Sequence, residues 1–188
     1  MPFFVELIIF AVVAVLCVGA VVIFNRLVRG RNEVHEAWSG IDVQLRRRAD
    51  LIPNLVATVK AYAAHERGVF EEVTAQRSSM FAAGDLAAKA AADRALQGSL
   101  GRLFAVAEAY PELKANQNFL ALQSQLSEIE DQLQMARRYY NGTVRDFNIR
   151  IQSFPDVVIA HVLGYREEHF FETDAASAAV PSVSLSGA

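Results

Sequence analysis

An uninterrupted apolar run opens the chain. Residues 7–24, from Leu7 to Phe24, read LIIFAVVAVLCVGAVVIF and contain no charged side chain. At about 1.5 Å per residue the run spans roughly 27 Å, close to the hydrocarbon thickness of a bilayer. A core helix of a water-soluble protein would show a polar stripe, and this run has none. The pattern therefore predicts a transmembrane helix.

The start of the chain bears on whether this helix is a cleaved signal peptide. A signal peptide begins with Lys or Arg and ends its apolar run at a small-x-small site. The opening MPFFVE has no basic residue, and bulky Leu16 before Cys17 makes a poor lipoprotein-type cleavage position. We therefore expect an uncleaved anchor in which Cys17 is a small apolar filler.

The charges on either side of the run predict its orientation. Only Glu6 precedes it, whereas Arg26, Arg29 and Arg31 follow it. Because positively charged flanks stay on the cytoplasmic side, we expect the N-terminus outside the cell and the rest of the chain inside. The opposite topology is the alternative.

Apolar residues recur every three or four positions through most of the remaining chain, which is typical of helices packed in a bundle. The first stripe is interrupted by Pro53, so we expect either a kink near Asp50 or a break at which Asp50 caps a new helix. Small Ala49 fills a gap in this stripe, whose other members are Val34, Trp38, Ile41, Leu45, Ile52, Leu55, Val59 and Tyr62.

Further stripes predict the later helices. Gly84-Asp85 reads as a helix stop followed by an N-cap, and a helix then covers residues 86–109. After a short connector at 114–118, one helix of roughly 35 residues crosses Asn141-Gly142, because its stripe continues there without a phase change. That stripe consists of Phe119, Leu122, Leu126, Ile129, Leu133, Ala136, Tyr140, Val144, Phe147 and Ile151.

These elements predict an all-α fold, in which an N-terminal transmembrane helix precedes an antiparallel bundle of the four-helix type. The expected parts are an anchor with its basic flank at 1–30, a helical bundle at 31–172 and a disordered tail at 173–188. Residues 157–163 are apolar and are expected to close the end of the bundle.

The composition and the missing motifs exclude several classes of function. The 188 residues include 21% charged side chains and carry a net charge of −3, so no basic excess indicates nucleic acid. One Cys excludes an internal disulfide framework. No Glu is followed by His three positions later, and nucleophile and phosphate-loop motifs are absent. We expect no catalytic, metal or cofactor residue and no small-molecule substrate.

Two polar sets are candidates for interaction. Arg46, Arg47 and Arg48 would spread over more than half of a helix circumference, either pairing with acidic residues at 128–131 or forming a site for a partner or an anion. Asn141 and Asn148 lie seven residues apart beside the apolar stripe. They would either fix register or oligomeric state, or line a polar groove for a partner segment.

The sequence resembles the LemA family over about residues 25–172. The carrying segments are residues 31–66, which include IDVQL and RRADLIPNLV, residues 101–155, and the LGY and FF of 163–171. The resemblance implies a bacterial, single-pass protein of the cytoplasmic membrane with one N-terminal anchor and an antiparallel four-helix bundle. It implies no established reaction and no catalytic residues.

The expected function is a non-enzymatic, membrane-anchored scaffold or assembly module. It would contact the bilayer through residues 7–24 and form a homo-oligomer or bind a membrane protein. One alternative is an accessory subunit of a membrane protease, transporter or signalling complex. A more remote alternative is a metal-dependent enzyme with its site in the bundle, which elemental analysis would reveal.

Overall fold

The computed structural model describes residues 2–171, and every regular element in that range is helical. The expected tail at 173–188 lies outside the described residues. The predicted all-α class, with a long apolar N-terminal helix and further packed helices, is confirmed. The helices are α1 (Pro2–Lys60), α2 (Arg67–Ala82), α3 (Leu86–Glu108), α4 (Pro111–Lys114), α5 (Gln117–Gln152) and α6 (Asp156–Val162).

The chain divides into two compact units. The anchor unit comprises Met1–Leu45 and Ser127–Phe170, and therefore holds most of α1, the second part of α5 and α6. The hairpin unit comprises Arg46–Leu126 together with Phe171, and holds the end of α1, the helices α2 to α4 and the start of α5.

In the anchor unit, α1 and α5 run antiparallel. The rings of Trp38 and Tyr140 lie 6.0 Å apart, and Arg150 donates a hydrogen bond to the carbonyl of Arg26 at 3.2 Å. Residues earlier in α1 therefore pair with residues later in α5. The buried stripe confirms the predicted heptad spacing and consists of Leu27, Val34, Ala37, Ile41, Leu45, Ile129, Leu133, Tyr140, Val144, Phe147 and Ile151.

In the hairpin unit, α2 and α3 are joined by a three-residue link. Asp85 accepts a hydrogen bond from the Ala88 amide at 2.7 Å, which confirms the predicted N-cap. The buried residues include Ile52, Leu55 and Val59 of α1, Phe70, Val73 and Met80 of α2, and Leu96, Leu100, Leu103 and Ala107 of α3.

Helix α5 is 36 residues long and passes Asn141-Gly142 without a break, as predicted. Its start is capped by Asn116, whose side-chain oxygen accepts hydrogen bonds from the amides of Asn118 and Phe119. The connector is shorter than expected, because Pro111–Lys114 forms the turn α4 and α5 already begins at Gln117.

Helix α1 is unbroken at Pro53, so the predicted alternative of a new helix capped by Asp50 is wrong. Proline lacks the N–H that would bond to the carbonyl four residues earlier, here that of Ala49. Arg77 of α2 donates to this carbonyl from Nε at 2.9 Å. Ile52 and Leu55 are also almost fully buried, so core packing holds the helix on both sides of the proline.

This replacement donor leads to a testable prediction. Arg77→Met is expected to lower the free energy of unfolding by about 1–3 kcal/mol, because the Ala49 carbonyl is left without a donor. In a Pro53→Ala background the backbone N–H is restored, and the same change is expected to cost less than about 1 kcal/mol. Denaturant unfolding of the four variants measures the coupling.

The double-mutant cycle formed by these four variants also accounts for the second contact of Arg77. The Arg77 guanidinium lies 5.0 Å from the ring centre of Phe81. That contact is lost equally in both backgrounds and cancels in the difference. Equal destabilisation with and without Pro53 would contradict the assignment of Arg77 as the replacement donor.

Candidate membrane anchor and polar sites

The apolar start of α1 is exposed along its length. Leu7 is 54% and Phe24 is 44% exposed, and burial begins only at Leu27, which is fully buried. Within residues 2–171, α1 is the one helix long and apolar enough to cross a bilayer, and none of its most apolar window is buried. The predicted anchor is therefore an apolar surface that the described fold leaves uncovered.

The basic residues after the anchor differ in their surroundings. Arg26 and Arg29 are exposed. Arg31 also has exposed surface, but its guanidinium lies 5.7 Å from the ring centre of Tyr165 and its Nε lies 4.0 Å from a carboxylate oxygen of Glu168. Arg31 thus contacts the C-terminal part of the chain as well as flanking the anchor.

Close approach of α1 and α5 depends on Gly30. A Cβ at this position would lie 2.9 Å from Nη1 of Arg150 and 3.2 Å from Cδ2 of Phe147. Phe147 is 1% exposed and has little room to move. A larger side chain would therefore push the two helices apart just beyond the anchor.

An extended segment after α6, residues 164–170, lies along α5 and is called the strap below. It begins at Gly164, whose φ of 71° lies in the left-handed region that glycine adopts readily. The amides of Tyr165 and Gly164 donate to the carbonyls of Ala160 and His161, which is the Schellman arrangement that ends a helix. This turn directs the chain back along α5.

The strap is held by Asn148, one of the two predicted Asn residues. The Asn148 amide nitrogen donates to the Glu168 carbonyl, and its oxygen accepts from the Glu168 amide, both at 2.9 Å. Asn148 is 8% exposed, whereas Asn141 is half-buried. The structure therefore places Asn148 against a segment of its own chain. A role of either Asn in oligomeric state remains a prediction.

Tyr140 makes a further contact with the strap. Its hydroxyl donates to the His169 carbonyl at 2.8 Å. Burial raises the pKa of Tyr140 above its ordinary value of 10.0, and the negative charge of Glu168 raises it further. The neutral hydroxyl is thereby kept as a donor.

The raised pKa predicts how stability changes at alkaline pH. The contribution of neutral Tyr140 is complete below pH 10 and is lost as pH rises through the higher pKa of the folded state, because the unfolded chain then binds fewer protons. We expect the stability advantage of wild type over Tyr140→Phe, about 1 kcal/mol near neutrality, to shrink above about pH 10. Denaturant unfolding of both proteins across this range measures the advantage, and a constant difference would contradict the prediction.

The predicted arginine triplet is divided by the fold. Arg46 and Arg47 are exposed, whereas Arg48 is 4% exposed and donates from Nη1 to Oδ1 of Asp93 at 2.8 Å. Asp93 is fully buried. Asp93 was not predicted as a partner of Arg48, although it precedes Leu96 by three residues and so falls on the apolar stripe of α3. Roles of Arg46, Arg47 and Arg48 in binding a partner remain predictions.

The described residues offer neither a large pocket nor a cluster of metal-binding side chains. A surface cavity of about 120 Å³ is lined mainly by Phe104, Ala107, Phe119 and Leu120, with Glu108 and Lys114 at its edge. It is smaller than the ~300 Å³ typical of small-molecule pockets. Among residues 2–171, no three His, Cys, Asp or Glu side chains are grouped so that they could hold a metal ion.

Comparisons with known proteins agree with the sequence resemblance. The model of the LemA family matches residues 37–185. Magnetosome protein MamQ 2 of Paramagnetospirillum magneticum is 25% identical, and the match covers 79% of this chain and 64% of that protein. MamQ of Magnetospirillum gryphiswaldense is 24% identical over the same shares.

A third relative carries the family name. Protein LemA of Metamycoplasma hominis is 27% identical, with 69% of this chain and 60% of that protein matched. The chain thus spans less than two thirds of the length of these relatives. The predicted family is confirmed by the family model, and the relatives add similarity at low identity.

Proposed function

The chain belongs to the LemA family, and from that premise we propose that it is a membrane-anchored helical scaffold or assembly module without enzymatic activity. The observation that carries the proposal is the change of surface along α1. Residues 7–24 present apolar side chains outward, and from Leu27 the same helix turns its apolar side chains into a core. A helix with these two parts fits one segment in lipid and one in a folded module.

The placement of the polar side chains supports a structural role. Arg48 and Asp93 pair inside the hairpin unit, Asn148 holds Glu168, and Arg77 replaces a missing backbone donor. Each of these groups is occupied in stabilising the fold. Relatives whose names assign them to the magnetosome support a membrane-associated role.

The proposed location is the cytoplasmic membrane of a bacterium, crossed once, with the N-terminus outside and the folded units in the cytoplasm. Exposed Arg26 and Arg29 directly after the anchor support this orientation, since basic flanks remain on the cytoplasmic side. The folded units would then be tethered close to the inner leaflet.

Self-association is supported by exposed apolar side chains that lie in the anchor unit but outside the membrane-spanning residues 7–24. Val43 on α1 and Met135 and Tyr139 on α5 are 51%, 54% and 60% exposed. All three belong to the anchor unit. Met and aromatic side chains are enriched in protein–protein interfaces. We propose that they contact a second copy of the chain.

Light scattering of the purified full chain in detergent micelles tests this proposal. We expect more than one chain per particle at micromolar concentration. Combined Met135→Glu and Tyr139→Glu changes are expected to convert it to a monomer, because burying two carboxylates opposes contact. Ser127→Glu, an exposed position on the same helix, is the control and should leave the assembly intact. A strict monomer for wild type would contradict the scaffold function.

A further inference from the structure

The turn before α6 and α6 itself expose apolar side chains that the anchor does not explain. Phe154, Val158 and Val162 are 85%, 56% and 79% exposed, and Leu163 beside them is 46% exposed. The spacing of four residues places Val158 and Val162 on one side of α6, and Phe154 lies in the turn just before this helix. The other side of α6 is buried through Asp156 and Ala160. Thus α6 packs by one face and presents an apolar face outward.

The register of the anchor unit places these side chains level with the end of the anchor. Trp38 lies against Tyr140, Gly30 lies beside Phe147, and Arg26 accepts a hydrogen bond from Arg150. The sequence positions on α1 and α5 thus change in opposite directions at nearly equal rates. Continuing past Arg150 by two residues sets the end of α5, at Gln152, level with about residue 24 of α1. Phe154 follows in the turn directly after this end.

The apolar run ends at Phe24. When α1 spans the bilayer, the turn that holds Phe154 therefore lies near the depth where the anchor leaves the hydrocarbon. The chain after it runs from this level back to Tyr165, which contacts Phe147 and Arg31. Consequently α6 occupies the depth range of the lipid headgroups when α1 spans the bilayer.

The charges at this depth fit the same surroundings. Exposed Arg26 and Arg29 lie within the corresponding stretch of α1, and Arg150 lies beside them. The carboxylate of α6 itself, Asp156, is 6% exposed and faces inward. Glu167 accepts a hydrogen bond from Gln152. A surface that combines apolar side chains with neighbouring basic residues is typical of proteins that lie at the membrane interface.

We propose that Phe154 and the outer face of α6 form a second membrane contact, which inserts into the headgroup and upper acyl region of the leaflet from which α1 emerges. This inference rests on the proposed anchoring of α1. The occupant of the surface is lipid, because these side chains continue the depth and character of the anchor. The contact would fix the tilt of the anchor unit on the membrane, since one spanning helix alone leaves that tilt free.

Lipid quenching of site-specific probes in the full chain tests the proposal. In a Cys17→Ala background, single changes Phe10→Cys, Met135→Cys, Phe154→Cys and Val162→Cys each carry an environment-sensitive fluorophore. The proteins are reconstituted in vesicles of phosphatidylcholine and phosphatidylglycerol, with or without a lipid spin-labelled near the headgroup end of its acyl chain. All four positions are exposed, so these substitutions leave the core intact.

Probes at positions 154 and 162 are expected to lose fluorescence by about twofold or more in the spin-labelled vesicles. The matched control is position 135, which lies about 15 residues before Arg150 on α5 and therefore roughly 22 Å farther from the anchor. This probe should be nearly unaffected. The probe at position 10 reports the anchor itself.

The pattern of results distinguishes the two claims. Quenching at position 10 with none at 154 and 162 would overturn the second contact and leave the anchoring intact. No quenching at position 10 would overturn the anchoring, and the second contact with it. A blue shift at 154 and 162 without quenching, growing with the protein-to-lipid ratio, would show that a second copy covers these side chains and would also overturn the proposal.

Discussion

Asp93→Ala is expected to lower the free energy of unfolding by about 3–5 kcal/mol. The substitution removes the carboxylate that Arg48 contacts at 2.8 Å and leaves a guanidinium that is 4% exposed. A buried charge that loses the carboxylate of a buried pair is far less stable than the intact pair. Denaturant unfolding of the full chain in micelles, followed by circular dichroism, measures the loss.

Two controls distinguish the cost of leaving a buried charge behind from the cost of losing an ion pair as such. The double change Arg48→Met and Asp93→Leu removes both charges and is expected to be nearly neutral or stabilising. Glu72 pairs with Arg102 on the surface of the same unit, where the Arg side chain is 58% exposed. Glu72→Ala is expected to cost less than about 1 kcal/mol. A loss as small as this for Asp93→Ala would contradict the account of the buried pair.

Asn148→Leu is expected to release the strap, with a local cost of about 2 kcal/mol. Both hydrogen bonds to Glu168 are lost, whereas the apolar volume at the position is roughly retained. A local opening of this size corresponds to about 30-fold faster amide exchange. Hydrogen exchange of peptides covering residues 164–170, read by mass spectrometry, measures the change.

The matched control for the strap is Gln152→Leu. Gln152 is exposed and contacts the strap through one bond between side chains, to Glu167 at 2.8 Å. Its loss should change exchange by less than about threefold, since exposed polar contacts contribute little. Equal effects of the two substitutions would show that Asn148 has no special part in holding the strap.

The helices and their buried faces were predictable because a helix repeats its contacts at a fixed period. The stripe from Phe119 to Ile151 identified α5 to within two residues at each end, and it correctly overruled the turn signal at Asn141-Gly142. The apolar run from Leu7 to Phe24 likewise identified the exposed part of α1. Each of these predictions needed information from one segment alone.

The polar contacts were not predictable in the same way, because each joins residues distant in sequence. Arg48 and Asp93 are 45 residues apart, and Arg77 and Ala49 are 28 apart. The sequence nevertheless contains a signal for the first pair. Arg48 lies between Leu45 and Ile52 at heptad spacing, and Asp93 extends the stripe of Leu96 and Leu100. A charge in phase with a core stripe requires a partner.

The position of the strap was harder to predict from the sequence. Asn148 lies beside the α5 stripe, next to Phe147, which indicates a partly buried amide that needs hydrogen-bond partners. Those partners are the backbone groups of Glu168, and backbone groups carry no sequence signature. Residues 164–170 have no helical or strand periodicity. Their path depends on the turn at Gly164, which periodicity does not reveal.

The proposed scaffold function depends on contact between copies of the chain at the membrane. The most direct test is thiol crosslinking in native membranes, using Met135→Cys in a Cys17→Ala background and Ser127→Cys as the position outside the proposed contact. Self-assembly through the proposed contact predicts a homodimer band for position 135 and little for position 127. Products joined only to other proteins, or no product at position 135, would contradict self-assembly. The first of these results would favour an accessory subunit instead.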